Sequence, residues 1–247
     1  MNDWFTWNGD RCTNHHMHVL TPPSIIVAKE RVEDIEIPGR PGTLTRRQGN
    51  NVRDNVNHSC TCIVDDLYTD DGENVVIDIA GWLSGNGEVS FWNRPEGYFK
   101  GRIANQISFD KILRNHPHRL FNVEFQCDPF FYLYSGLTER TISSGSWLRN
   151  DGNISSLPLL KVTGSSGTIM FGSGSIVIDD ISDLDYIMID CDAKIAYKGK
   201  RGDPNDPFIL LNTRISGQWL EIPTGDSTIS YTGGIDSLTV TPRWRCV

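Results

Sequence analysis

The sequence predicts a mainly β protein made of two domains, with one α-helix in the first domain. Most of the chain alternates apolar and polar residues with the period of two that half-buried strands show, and clusters of Gly, Asn, Asp and Ser separate the apolar runs. After residue 135 the composition changes: aromatic strand-like segments give way to short apolar runs among many Ser and Gly residues. We therefore expect domains at residues 1–135 and 136–247, each long enough to bury a core.

The first domain is expected to be β-sandwich-like, with an extended hairpin or arm. Its predicted strands are Trp4–Trp7, His16–Leu20, Ile25–Ile37, Cys60–Val64, Val89–Trp92, Tyr98–Phe109 and Leu120–Gln126. The strand Ile25–Ile37 carries many charged residues, and charge on an exposed strand edge protects it against indiscriminate pairing. A specific neighbour remains able to use that edge.

One segment of the first domain has a helical period instead. Apolar residues recur at helical spacing between Gly72 and Leu83, namely Val75, Val76, Ile79, Trp82 and Leu83. The carboxylates of Asp70, Asp71 and Glu73 suit the start of this helix, and Gly85 suits its end. We expect Trp82 to pack against the sheet, so that truncation to alanine costs about 3–5 kcal/mol.

Short strands follow one another at regular spacing in the second domain. They are predicted at Leu159–Thr163, Thr168–Phe171, Ser175–Ile178, Tyr186–Asp190, Lys194–Tyr197, Phe208–Leu211, Trp219–Ile222, Thr228–Tyr231 and Ser237–Pro242. Turn signals such as Thr232-Gly233-Gly234 lie between them. This rhythm is typical of a β-sandwich.

The composition excludes several classes of protein. There are 23 Lys and Arg against 31 Asp and Glu, and the formal charge of −8 argues against a broad nucleic-acid-binding surface. No apolar run approaches the roughly 18 residues that span a bilayer, and the start of the chain lacks the basic and apolar regions of a signal peptide. We therefore predict neither membrane insertion nor export. Six scattered cysteines indicate free thiols in a reducing compartment.

A group of Cys and His residues in the first domain invites a zinc interpretation: Cys12, His15, His16, His18, His58, Cys60 and Cys62. Their spacing matches no zinc finger or ribbon. Cys60 and Cys62 share one face of a strand, where they serve equally well as small core hydrophobes. We predict no metal site.

Several carboxylates lie close together before the helix, namely Asp65, Asp66, Asp70, Asp71 and Glu73. A calcium loop with Gly72 at its sixth position would begin at Leu67, which is not acidic. Helix capping and loop solvation explain these residues better than paired-carboxylate hydrolysis does. The chain also lacks the common nucleophile, phosphate and dinucleotide motifs, so we predict no enzyme, no catalytic residue and no cofactor.

Several motifs in the right order resemble the distal tail proteins (Dit) of long-tailed bacteriophages and related prophages. In the first half they are Glu30-Arg31 followed by Ile37-Pro38-Gly39-Arg40-Pro41-Gly42, the helix end Trp82-Leu83, the hairpin-like Tyr98-Phe99-Lys100-Gly101-Arg102-Ile103, and Cys127-Asp128-Pro129-Phe130. In the second half they are Asn150-Asp151-Gly152-Asn153, Pro158, Ile189-Asp190-Cys191-Asp192, Tyr197 near Gly199, and Leu238 to Arg245. The resemblance covers nearly the whole chain.

This resemblance implies a structural protein of the virion tail tip, assembled in the bacterial cytoplasm. Six N-terminal domains would form a homohexameric ring with a channel that DNA crosses without specific binding, and galectin-like, jelly-roll-type C-terminal domains would surround it. The implied partners are the tail tube protein, a tail-tip or tail-associated lysin-type protein, the tape-measure protein and a receptor-binding protein. Candidate ring-interface residues are Lys29, Glu30, Arg31, Pro38, Gly39, Arg40, Tyr98, Phe99, Lys100 and Arg102. An ordinary surface hairpin explains the last four equally well.

An alternative hypothesis is that the second domain binds saccharide on the host surface. Sandwiches of this kind can present an aromatic platform on which a sugar ring stacks, and the candidates are Trp147, Tyr197, Trp219 and Trp244. Packing in the core or at a sheet edge is the competing interpretation of each, and we favour it because large aromatic residues are usually buried.

Overall fold

The computed structural model describes residues 3–47, 49, 51–64, 72–111, 118–172 and 174–247, with the backbone alone at 72, 73, 110 and 111. The fold is mainly antiparallel β, as the sequence predicts. The chain divides into two compact units, the first formed by Met1–Phe131 with Val247 and the second by Tyr132–Cys246. No helix in the described ranges is long and apolar enough to cross a membrane.

The first unit is built on one antiparallel sheet. Its strands are β1 (Phe5–Trp7), β2 (Asp10–Arg11), β3 (Met17–Thr21), β4 (Val32–Glu36), β5 (Thr43–Arg47), β6 (Val56–Val64), β7 (Asn86–Phe91), β8 (Gly97–Ile103), β9 (Asp110–Lys111) and β10 (Arg119–Leu133). The sheet order is β2-β1-β7-β8-β10-β6-β3, with β9 also on β10. Strands β4 and β5 pair only with each other among the described strands.

Aromatic side chains fill the core of the first unit. The ring centroid of Phe125 lies 5.3 Å from that of Phe5, 5.6 Å from Trp7 and 5.8 Å from Phe91, and all four residues are buried. Such tilted and edge-to-face pairs contribute beyond the area they bury. This cluster explains why β1, β7 and β10 meet.

The helix α1 (Gly72–Trp82) confirms the helical prediction. Ile79 and Leu83 are buried, and the half-buried ring of Trp82 stacks on Phe5 with 5.8 Å between centroids. Gly85, with φ of +74°, follows the helix where a stop was expected. The predicted carboxylates at its start, Asp65 to Asp71 and the side chain of Glu73, lie outside the described residues.

The second unit is a curled sheet with β-sandwich character. The strands of this sheet are β11 (Arg140–Ile142), β12 (Ser146–Asn150), β13 (Leu159–Phe171), β14 (Gly174–Ile178), β15 (Ile187–Asp190), β16 (Ile195–Lys198), β17 (Ile209–Leu210), β18 (Ile215–Gly217) and β19 (Gly225–Thr241). The short strand β20 (Arg245–Cys246) lies outside it. The order is β11-β19-β13-β15-β16-β17, with β12 on β19, β14 on β13 and β18 on β14. The curled sheet encloses a core that includes Leu160, Ile169, Ile189, Leu238 and Trp244.

Four predicted strands of the second domain prove to be two. Residues 159–171 form the single strand β13, and residues 225–241 form the single strand β19. The glycines that predicted turns bend these strands instead, at register shifts around Gly164 and Gly167. Gly164 has φ of +130°, and a Cβ there would lie 2.2 Å from the carbonyl oxygen of Gly234. The pairing of β13 with β19 therefore continues on both sides of the bend.

Three further strand predictions are wrong in extent. The predicted strand Ile25–Ile37 is regular only over β4, and Tyr98–Phe109 only over β8. Trp219–Ile222 is not a strand, because only Ile222 bridges to Ser156. Its alternation reflects burial of Leu220 and Ile222 against the core without backbone pairing along the segment.

An ion pair ties two parts of the second unit together. The guanidinium of Arg243 donates from both Nη atoms to the carboxylate of Asp190, at 2.8 and 3.0 Å. That carboxylate also accepts the backbone N–H groups of Asp192 and Ala193, each at 3.0 Å. Burial alone would raise the pKa of Asp190, but the hydrogen bonds from Arg243 and the backbone outweigh it and hold the pKa below its ordinary value.

Candidate assembly surfaces

A hairpin formed by β4 and β5 stands apart from the main sheet of the first unit; we call residues 32–47 the arm. Its register pairs Val32 with Arg47 at one end and Glu36 with Thr43 at the other. The tip is the predicted Pro38-Gly39-Arg40-Pro41-Gly42 turn, in which both glycines have φ of +79°. Pro38, Gly39 and Arg40 are exposed there, as an interface role would require.

Charged residues fasten the base of the arm to its own chain. Arg53 donates to the carbonyl oxygen of Ala28 at 2.7 Å and to Glu30 Oε1 at 3.2 Å. Arg31 Nε donates to Asp54 Oδ1 at 3.0 Å. Glu30 and Arg31 are thus engaged within the chain, where they orient the arm, whereas the predicted candidate Lys29 is exposed.

The two faces of the arm differ in character. Ile35 lies opposite Leu44, and Ile37 follows two residues after Ile35; these side chains are 37%, 46% and 38% exposed. On the other face Thr45 donates to Asp34 at 2.6 Å. A two-stranded hairpin is at best marginally stable alone in water. An apolar face that its own chain leaves exposed therefore indicates a surface built for a partner.

The exposed face of the main sheet in the first unit carries polar side chains that bond to one another across the strands. Arg102 donates from Nε and Nη2 to Gln126 Oε1, at 3.1 and 2.7 Å. Asn57 donates to Glu124 at 2.7 Å. A groove of about 510 Å³ lies on this face and is lined by Asn55, Asn86, Gly87, Glu88, Lys100, Gly101, Arg102, Gln126 and Asp128. Its charged residues are two cations and two carboxylates.

The predicted interface segment of residues 98–102 contains both residues that line the groove and residues that are buried. Lys100 and Arg102 line the groove, but Tyr98 and Phe99 are only 3% and 4% exposed. Phe99 packs against Phe131 with 5.0 Å between ring centroids. The two aromatic residues are core residues, and we correct their assignment as interface candidates.

The cysteines of the predicted Cys and His group are buried in the core together with His58, whereas His15 is half-buried and His16 and His18 are exposed. Cys12, Cys60 and Cys62 are fully buried, as the shared-face argument allows, and every cysteine is a free thiol. Burial raises the pKa of Cys60 to about 12 and raises that of Cys62 still further. The described residues contain no group of His, Cys, Asp or Glu that could hold a metal ion. These thiols are neutral packing groups.

The saccharide-platform candidates of the second unit occupy different environments. Trp244 is fully buried in the core and is corrected as a platform residue. Trp219 and Tyr197 are half-buried, and Tyr197 packs on Phe208 at 5.1 Å between centroids. Trp147 on β12 is 74% exposed, against our preference for packing.

The pairing of β12, β19, β13, β14 and β18 places further residues on the same outer face as Trp147. Met170 and Val177 are exposed there, and the cross-strand pair of Arg149 and Asp226 lies beside Trp147 on the same face. The shared residues are Thr168, Ser175, Ser216, Thr228, Ser230 and Thr232. Sequence reasoning missed this face because its members come from five strands.

Comparison with known proteins finds full-length structural neighbours. The crystal structure of the Dit protein of phage SPP1, described as a paradigm of the hub adsorption apparatus in phages that infect Gram-positive bacteria, matches with a TM-score of 0.69 and 11% identity. The match covers 97% of this chain and 98% of that chain. No protein-family model matches the sequence, and no curated protein matches it.

Chains of a phage baseplate are similar as well. A chain of the phage P2 baseplate in its activated conformation with calcium matches at a TM-score of 0.57 with 11% identity, covering 96% of each chain. A chain of the p2 baseplate activated with strontium matches at 0.51 with 10% identity, covering 97% of each. The chain therefore has a Dit-like fold over nearly its whole length, which confirms the resemblance at the level of the fold.

Proposed function

We propose that this chain is a distal tail protein of a bacteriophage or prophage, a structural protein that forms a hub at the tail tip. The observation that carries the proposal is the end-to-end likeness to the SPP1 Dit protein, which extends over both units and leaves almost no residue of either chain unmatched. In this role the protein connects the tail tube to the adsorption apparatus. Its mechanism is geometric, and it requires no catalytic group.

A homohexameric ring is the assembly we propose. Copies joined head to tail close into a ring when each contact is heterologous and the rotation divides a full turn. The arm supports this proposal, because it extends from the sheet, is fastened at its base by Arg53 and carries an uncovered apolar face. The tip residues Pro38, Gly39 and Arg40, together with Lys29, remain candidate interface residues.

We propose that genomic DNA crosses the ring through a channel without being held. The polar face of the first unit suits such a channel, because its charged residues nearly cancel: Lys100 and Arg102 stand against Glu88, Glu124 and Asp128. DNA affinity depends on cations that replace condensed counterions, and this face offers no excess of them. The full-length protein should show no DNA binding at physiological salt in fluorescence anisotropy.

The proposed ring has two faces for its neighbours. One would stack on the last ring of the tail tube protein, and the other would receive the tail-tip or tail-associated lysin-type protein, with the tape-measure protein nearby during assembly. A receptor-binding protein would attach at the periphery, on the second units. The proposed location is the virion tail tip, after assembly in the host cytoplasm.

Mass in solution tests the ring. Light scattering over a concentration series, alone and with tail tube protein, should give a species of six copies, and negative-stain images should show a central hole. A chain that is monomeric at every concentration, and that forms no ring beside the tube protein, would overturn the proposed function.

A saccharide-binding role of the second unit is a second candidate, and the exposure of Trp147 favours it. An exposed indole on a face rich in Ser and Thr offers both a stacking surface and hydroxyl partners for a sugar. The full-length chain should then bind host-surface glycans on an array, and Trp147→Ala should abolish the signal without lowering stability. Absence of glycan binding by a protein that still forms rings would refute this role.

A further inference from the structure

We infer that the arms of neighbouring copies join edge to edge, with the β4 edge of one copy pairing antiparallel with the β5 edge of the next. This inference deepens the proposed ring and rests on it, because it names the surfaces through which one copy of this chain would recognise another. The partner is a second copy, and the contact is heterologous.

The first argument is the pairing of the arm. Strands β4 and β5 form a sheet of two, and no other described strand pairs with the outer edge of either. Each outer edge thus presents a row of backbone N–H and C=O groups that can accept another strand. Because the two strands of a hairpin are antiparallel, repeating the hairpin in one orientation places β4 of one copy antiparallel to β5 of the next.

The second argument is charge complementarity between the two edges. Strand β4 carries Glu33, Asp34 and Glu36 and no cation, whereas β5 carries Arg46 and Arg47 and no carboxylate. Within the arm Glu33 already lies opposite Arg46, and Arg47 Nε lies 3.6 Å from Glu30 Oε2, whereas Glu36 lies opposite the uncharged Thr43. Opposite charges therefore meet when β4 pairs with β5 of a neighbour. Pairing β4 with β4, or β5 with β5, would bring like charges together, and such repulsion selects the heterologous contact that a closed ring needs.

The third argument is the stability of the arm. The side chains of Ile35, Ile37 and Leu44 are more than one third exposed, and two strands with such a face are marginal in water. Adding a strand on each side satisfies the outward backbone groups and extends the apolar row into a continuous band. Arg53 and Glu30 hold the base of each arm, so the edges would be presented in a fixed orientation.

Charge reversal with rescue tests this pairing in the full-length protein. The β4 reversal E33K/D34K/E36K places cations on both edges and should raise the concentration at which rings form by at least about tenfold. Adding R46E/R47E to the same chain restores opposite edges and should return assembly to near the wild-type concentration. Light scattering over a concentration series measures both effects.

A matched control uses three exposed carboxylates of the second unit. E139K/D151K/D236K changes the formal charge by the same amount as the β4 reversal, from −8 to −2, and should leave ring formation unchanged. Hydrogen exchange on the wild type gives an independent measurement: amides in β4 and β5 that exchange freely in the monomer should be at least about tenfold more protected in the ring.

The outcomes separate this inference from the proposed function. Rings that form equally well with the β4 reversal, and whose arm amides gain no protection, would overturn the inference and leave the hub proposal standing. A chain that forms no ring alone or with tail tube protein would overturn both. Loss of assembly in the β4 reversal, recovery in the rescue variant and protection of the arm amides would together support the inference.

Discussion

Replacing Asp190 with alanine should destabilise the second unit by about 2–3 kcal/mol. The change removes two charge-assisted hydrogen bonds from Arg243 and two bonds from backbone N–H groups. Breaking a fully buried ion pair costs about 3–5 kcal/mol. The side chains of Asp190 and Arg243 are 13% and 21% exposed, so water compensates part of the loss. We therefore expect about 2–3 kcal/mol instead of the cost of a fully buried pair.

Thermal unfolding of the full-length chain, followed by calorimetry, measures this effect. For a unit of this size about 2–3 kcal/mol corresponds to a fall of roughly 10 °C in the Tm of the second unit. Asp192→Ala is the control, because Asp192 is exposed and its hydrogen bond to Asp190 comes from its backbone N–H, which alanine keeps. A Tm for Asp190→Ala within about 2 °C of the control would refute the structural argument.

The pH dependence of the same variant provides a second check. The folded pKa of Asp190 is lowered, so its stabilising contribution is complete above the unfolded pKa, near 4, and is lost as the pH falls through the folded value. The difference in stability between wild type and Asp190→Ala should therefore be full at pH 7 and shrink below about pH 4. A difference independent of pH would assign the effect to packing.

Three other predictions concern the first unit. Burial among aromatic rings lowers the pKa of His58, so the free energy of unfolding should fall as the pH drops below about 6.5, by up to about 1.4 kcal/mol per pH unit. Urea titrations of His58→Leu should show that this pH dependence is lost, and an unchanged slope would contradict the argument. Gly101→Ala places a Cβ 2.6 Å from the carbonyl oxygen of Gln126 in β10 and should lower the stability of the protein by about 1–3 kcal/mol. Gly81→Ala, which has open space around its Cβ, should not lower it. Equal Tm values for the two variants would refute the steric argument. Burial raises the pKa values of Cys60 and Cys127 to about 12, so both thiols should resist iodoacetamide at pH 8 until the chain is denatured. Mass spectrometry detects the labelling, and rapid labelling of the native protein would contradict their burial.

Alternation in the sequence predicted the regions of most strands, because a half-buried strand must place its apolar residues at every second position. The method failed where the same pattern has another cause. Leu220 and Ile222 alternate with exposed residues because both enter the core, yet their backbone forms only one bridge. Gly164 bends a continuous strand where a turn was predicted, since a local pattern does not distinguish a bulge from a reversal.

Assembly surfaces were harder to predict than strands, because they depend on contacts between distant residues. Glu30 and Arg31 were recognised as candidates, but their partners Arg53 and Asp54 lie more than twenty residues away, and no local spacing reveals that pairing. Trp147 was expected to pack like most large aromatic residues. Its exposure became apparent only when the register of β12 on β19 placed it on the outer face.

The pairing of β19 sets the order of events as the protein is synthesised. Residues 225–241 pair with β11, β12 and β13, which begin 66 to 85 residues earlier in the chain. The curled sheet of the second unit therefore cannot form completely until residues 225–241 have left the ribosome. Until then the nascent chain exposes apolar residues of β13, so high contact order makes this unit slow to fold and prone to aggregate during expression.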